Sequence, residues 1–112
     1  MKCEKCGDDN FKEWKSGETY KGLDEHHNPP EFITERLGEK WEGERYLLCR
    51  ECHILILHKI IKQILFRNSN SAKFVNSEYW LMNKMTLEQL KIAREEIYNF
   101  TKLWLKNDTK TT

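Results

Sequence analysis

No stretch of this 112-residue chain is apolar for long enough to cross a membrane. The longest candidate, ILILHKIIKQILF (Ile54 to Phe66), is interrupted by His58, Lys59, Lys62 and Gln63. The opening MKCEKCGDDN lacks the apolar core of a signal peptide, so a cytoplasmic location is expected. There is no internal repeat and no linker-like stretch, and one domain is expected. Nor is there a large charge excess, the formal net charge being +1. The charge is unevenly spread, however. Residues 1–53 hold 9 Lys/Arg against 13 Asp/Glu, and residues 54–112 hold 10 against 5. A basic C-terminal half suits a phosphate backbone, and equally suits solvated helix faces. With 38% hydrophobic and 33% charged residues, the composition is that of a soluble globular protein. A chain this short has little margin of stability, and a metal would help to hold it.

The cysteines are few but ordered. They form two C-x-x-C pairs, Cys3 with Cys6 and Cys49 with Cys52. That spacing lets two thiolates grip one tetrahedral ion from a tight turn, and two such pairs complete a four-cysteine zinc site. The pairs are 42 residues apart, so a sizeable element folds between the halves of the site. A metal that closes so long a loop removes much freedom from the unfolded chain. Disulfides would need an oxidising compartment. A thioredoxin-like motif would need one C-x-x-C in a βαβ context. C-R-E-C-H (Cys49 to His53) also fits haem attachment, but that would leave Cys3 and Cys6 unexplained. Structural zinc is the expectation.

The pattern between and after the cysteines implies a small α+β fold. Ser16-Gly17 marks a turn between FKEWK and TYKGLDEHH, the second of which reads as a strand running into His26 and His27. Pro29 and Pro30 then break regular structure. EFITERLGEKWEGE reads as a charged loop with one helical turn, and RYLLC as a short strand. A helix is expected from about Glu51, with Ile54, Leu57, Ile61, Ile64 and Leu65 on one face. NSEYWLMNKM suggests a short helix. T-L-E-Q from Thr86 is a capping box opening a longer one. Its stripe of Leu90, Ala93, Ile97, Phe100 and Trp104 is core or a dimer seam. Trp14, Trp41, Trp80 and Trp104 are core candidates.

His26 and His27 are neighbours on a predicted strand and so point to opposite faces. One can face a metal while the other faces a water or a hydrogen-bond partner. His53 follows Cys52 in the first turn of the next helix. With these residues in place, HH-N-PP followed by LLCRECH resembles the HNH endonuclease family, ββα-metal nucleases with an added four-cysteine zinc knuckle. The resemblance runs from Cys3 to about His58. It implies two antiparallel strands and a helix around one divalent ion, over residues 1–67. A helical extension would follow over 68–106, with a frayed tail over 107–112. It also implies that His26 and His53 hold the catalytic ion and that His27 is the general base. Phosphodiester hydrolysis fits these residue types, because it needs a base titrating near neutrality and a cation with open positions. Zinc, nickel, manganese or magnesium are the ions to consider.

The chain departs from the family in two places. The family's middle asparagine lies five residues before the second knuckle, where this chain has Glu44, which cannot donate an amide proton. Many members carry a further histidine four residues after the C-x-x-C histidine. Here that residue is Leu57, and the histidine is His58. On a regular helix a step of five turns a side chain about 140° away. The expected ligand set therefore omits His58 unless the first turn is distorted. Asp24 and Glu25 are solvated or orient an imidazole. Lys59, Lys62 and Arg67 either reach phosphates or form a solvated face. The expected function is metal-dependent cleavage of DNA, with RNA and a homodimer left open. The alternative is a zinc-knuckle nucleic-acid-binding or structural protein of the same fold without cleavage.

Overall fold

The computed structural model of the chain describes residues 2–7, 11–13, 19–21 and 23–106, with backbone alone for the strands within 11–21. The Ser16-Gly17 turn, Trp14 and the 107–112 tail lie outside the described residues. The architecture is small α+β. β1 (Phe11–Glu13) pairs antiparallel with β2 (Thr19–Lys21). β3 (Leu23–Asn28) pairs antiparallel with β4 (Glu44–Cys49), in register from Leu23 opposite Cys49 to Asn28 opposite Glu44. The single strand expected over TYKGLDEHH is thus two strands in separate sheets. TYK finds its partner in FKE, and LDEHHN finds its partner in ERYLLC.

Two of the six residues of β3 show how strand alternation serves the site. His26 and Asn28 face inward and are 2% and 0% exposed, whereas Glu25 between strand neighbours is open to solvent. The segment expected to be a loop with one turn contains α1 (Glu31–Arg36), which begins after Pro30 and buries Ile33 and Thr34. Gly38, at φ +70, stops it. Gly38 N–H donates to the Glu35 carbonyl at 3.0 Å and Glu39 N–H to the Thr34 carbonyl at 3.1 Å, a Schellman close that needs the left-handed residue. Gly43 has a different reason to be glycine. A Cβ there would lie 2.2 Å from the Asn28 carbonyl oxygen, so only a bare backbone lets β4 start against the end of β3.

After β4 the chain winds first as a π-helical segment, Glu51–Leu57, and then as α2, His58–Arg67. Leu57, Ile61, Ile64 and Leu65 are buried as expected. Ile54 is not; it is 39% exposed, because the wider turn puts the residues before Leu57 out of phase with the face below. α3 (Glu78–Asn83) is capped by the Ser77 hydroxyl, which accepts from Trp80 N–H at 3.2 Å. α4 (Leu87–Lys106) opens with the expected box. Gln89 N–H donates to Thr86 Oγ1 at 3.1 Å, and Thr86 N–H donates to Gln89 Oε1 at 2.9 Å.

The core forms where α2, α3 and α4 meet α1 and β4, around Ile33, Leu48, Leu57, Ile61, Leu65, Leu81, Leu90 and Ile97. Each such side chain contributes roughly 1.5–3 kcal/mol when fully buried. The α4 stripe is core of the single chain, with Phe100 and Trp104 half-buried beside it. Thr101 also lies in it, its hydroxyl satisfied by the Ile97 carbonyl at 2.8 Å. Trp80 is a surface residue beside Lys84, not a core one, and Trp41 is half-buried with its indole N–H on the Pro29 carbonyl at 2.6 Å. Lys5 donates to the Trp104 carbonyl and stands over that ring, which ties the first knuckle to the end of α4. Among the described residues, no helix is long and apolar enough to cross a membrane.

Candidate metal centres

Two groups of ligand atoms converge. The sulfurs of Cys3, Cys6, Cys49 and Cys52 all lie within 4.8 Å of one another. None of the four is in a disulfide, and Cys6 Sγ is 3.7 Å from Cys49 Sγ. Two thiolates on one tetrahedral zinc ion would stand about 3.8 Å apart, so the sulfurs fit such an ion. Each knuckle turns tightly enough for its second cysteine to donate its N–H to the first sulfur, at 3.5 Å for Cys6 and 3.4 Å for Cys52. Burial pushes the Cys3 thiol up, but N–H groups of Cys6, Cys49 and Lys5 outweigh it and bring the thiol down to about 7. Burial and the neighbouring sulfurs push Cys52 up. A cation placed among them would deprotonate the set. The first knuckle is joined to β4 directly. Glu4 N–H donates to the Leu47 carbonyl at 2.8 Å, and Leu47 N–H donates to the Glu4 carboxylate at 2.6 Å.

The second group is His26, His53 and His58, again with ligand atoms within 4.8 Å. His26 and His53 meet as expected. His58, omitted from the expected ligand set, joins them. The cause is the π-helical segment. His58 N–H donates to the His53 carbonyl, an i→i+5 bond, so one wide turn brings His58 edge-on to His53. Their Nε2 atoms are 3.1 Å apart, against about 3.3 Å for two imidazoles on one tetrahedral ion. His26 contributes from β3, its ring centroid 5.1 Å from that of His53 and 5.4 Å from that of His58. His26 Nε2 is buried without a hydrogen-bond partner, a costly state that a metal ion would relieve.

Carboxylates orient two of the three rings from behind. His53 Nδ1 lies 3.0 Å from Asp24 Oδ2, and Arg50 holds the same carboxylate at 3.2 Å. His58 Nδ1 lies 3.2 Å from Glu78 Oε2. An imidazole whose Nδ1–H is taken by a carboxylate presents the Nε2 lone pair forward, the arrangement found behind metal-ligating histidines. Asp24 was foreseeable as an orienting acid. Glu78 was not, since it comes from α3 in the C-terminal extension. Burial lowers His26 to about 3, helped by the charges of His53, His58 and His27. Burial also lowers His53, and Asp24 restores only part of the loss. Both rings are therefore neutral at pH 7, as ligands must be.

His27 points to the other side of β3, 24% exposed, yet lines the same cleft of about 310 Å³ with His26, His53, His58, Phe32 and Glu31. Its Nε2 lies 2.6 Å from Glu31 Oε1 and 3.4 Å from Glu25 Oε1, and its ring meets the Trp41 ring edge-on at 5.1 Å. Glu44 lies away from this cleft. It accepts from the Tyr46 hydroxyl, from the Tyr98 hydroxyl at 3.2 Å, and faces Lys102 at 3.7 Å. Its carboxylate links β4 to α4, and the Tyr46 bond holds its pKa below the usual range. Arg67 is paired with Glu96 on α4. The chain matches no protein-family model, no curated protein and no solved structure.

The two centres should bind two metal equivalents. His26→Ala, His53→Ala or His58→Ala should each remove the second equivalent in a metal titration while the four-cysteine equivalent stays. Deleting Leu55, which is 65% exposed, should convert the π-helical segment to an α-helix with its histidines four apart. The second equivalent should survive that deletion; its loss would contradict the part given to the wide turn.

The lowered His26 and His53 set the sign of a pH effect. Their folded pKa values lie below the unfolded value, so the unfolded chain binds more protons as pH falls through 6.5. Their stabilising contribution is full above pH 6.5 and is lost below it. For His26 the slope reaches about 1.4 kcal/mol per pH unit between 6.5 and 3. Urea unfolding of the zinc-loaded protein, with no second metal added, should show stability about 2 kcal/mol lower at pH 5 than at pH 7. Much of that difference should vanish in His26→Gln; equal stability at both values would contradict it.

Proposed function

We propose that this chain is a metal-dependent endonuclease of the HNH type, hydrolysing DNA phosphodiester bonds. The carrying observation is that three histidines, two of them backed by carboxylates, converge beside a cleft whose wall holds a fourth. β3, β4 and the helix from Glu51 would form the ββα-metal core. Cys3, Cys6, Cys49 and Cys52 would hold structural zinc and take no part in the chemistry. His26, His53 and His58 would hold the divalent ion. Such an ion supplies electrostatic stabilisation of charge on the phosphate and the leaving oxygen.

His27 is the general base in this proposal. With Nε2–H donated to Glu31, its lone pair is on Nδ1, and that nitrogen takes the proton from the attacking water. Glu31, and more distantly Glu25, hold the ring in place. All of β3 pairs with β4, and the Asn28 side-chain amide donates to the Tyr98 carbonyl at 3.1 Å, so that His26 and His27 stay on their separate faces.

Glu44 supports a second proposal, a nucleic-acid-binding module of the same fold without cleavage. It stands at the position of the family asparagine and is engaged with Tyr46 and Tyr98 on α4's side, away from the cleft. One experiment separates the two. Plasmid DNA is incubated with purified zinc-loaded protein and manganese, magnesium, nickel or zinc in turn. Nicking or linearisation that needs added metal and falls by roughly 10²–10⁴-fold in His27→Ala is the expected result. Intact plasmid under every metal, with salt-sensitive binding retained, would favour the binding module.

A further inference from the structure

The metal cleft continues into a second recess. Phe32 and Glu35 line both, and the second, of about 340 Å³, is completed by Arg36, Tyr79 and Met82. An aromatic path runs along the junction. The half-buried Phe32 ring lies 6.4 Å from His58 and 6.1 Å from Tyr79. Tyr79 is 69% exposed, although it belongs to α3, a helix that buries Leu81 and Met82. A large ring so open contributes little to the core. Phe32 bridges it to His58 in two ring-to-ring steps, of 6.1 and 6.4 Å.

We propose that Tyr79, with the Phe32 ring beside it at a tilt of 47°, is a stacking platform for the base of a nucleotide near the scissile phosphate, so that the substrate strand is unpaired at that nucleotide. The platform rests on the nuclease reading of the metal cleft. An aromatic side chain covers a base face only when that face is not already occupied by a neighbouring base. Open platforms of this kind therefore suit single strands, ends, loops and gaps rather than continuous duplex. Stacking recognises a π-face that every base has, so the platform sets the strand's form and not its sequence. Arg36, exposed on the rim of the recess and held by Asn83 Oδ1 at 2.6 Å, offers a cation for the next phosphate along.

The test uses fluorescence anisotropy with labelled 12-mers in the His27→Ala background, zinc-loaded and supplied with manganese, so that the strand stays intact. Single-stranded DNA should bind at least about tenfold more tightly than its duplex. Tyr79→Ala should weaken single-strand binding by about 5- to 100-fold, and Tyr79→Phe should retain it. Because Tyr79 is exposed, the truncation leaves the core in place. An abasic nucleotide should weaken binding to the tyrosine protein and not to Tyr79→Ala. A ribonucleotide version of the 12-mer tells whether DNA or RNA is the better source of the base, and Tyr79 dependence on either supports the platform. Equal affinity for single strand and duplex, or no binding to either, overturns it. The cleavage assay on the intact protein reads separately. Cleavage with no strand preference defeats the platform alone, and Tyr79-dependent binding with no cleavage defeats the nuclease reading alone.

Discussion

Ten residues, Cys49 to His58, must face two different centres, and the rest of the structure is arranged around that constraint. Cys49 ends β4 and Cys52 lies in the first turn of the helical stretch, and both sulfurs meet those of the first knuckle. His53 and His58 must then turn toward β3. A regular α-helix would separate these histidines by about 140°. The i→i+5 bond between His58 N–H and the His53 carbonyl absorbs the extra residue and brings the rings together edge-on, with centroids 4.6 Å apart. The wide turn has a visible consequence in the core. Ile54 is displaced from the buried face, and Leu55 and Ile56 are left at the surface beside it.

The two centres have different electrostatic needs, and the fold meets each. Four sulfurs, three of them on buried cysteines and one on the exposed Cys6, would share their charge with a cation, and backbone N–H groups already lower Cys3. The three imidazoles must instead stay neutral. Burial ensures that for His26, while Asp24 and Glu78 fix the rings of His53 and His58. The four-sulfur group also links residues distant in sequence. It brings the N-terminal knuckle to β4 and the helix start, while β3 with its histidine pair is held against β4 by the strand ladder. A chain of this size would gain from a metal there, since one bound only by the folded state adds its binding free energy to folding.

Much of this was legible in the residues. The two C-x-x-C pairs announced a shared site, because their spacing admits little else in a reduced chain. The adjacent histidines announced two faces of a strand, and T-L-E-Q announced the start of α4. The convergence of His26 with His53 followed from the order of elements between the knuckles. His58 was legible only on a condition: periodicity arguments assume 3.6 residues per turn, and a step of five from His53 suits one ion only where the turn is distorted, as it is in the π-helical segment. Glu78 and Glu31 were illegible because both act across elements, Glu78 from α3 onto His58 and Glu31 from α1 onto His27. Trp80 was assigned to the core by residue type, yet its place on a six-residue helix leaves it at the surface.

One short stretch of chain contributes both to an all-sulfur and to an all-imidazole cluster of ligand atoms. X-ray absorption at the nickel edge tests it most directly, on protein carrying zinc in the first centre and nickel in the second. The account expects no sulfur around nickel and the multiple-scattering signature of three imidazoles, falling to two in His58→Ala. Sulfur in the nickel shell, or a shell unchanged in His58→Ala, would contradict it.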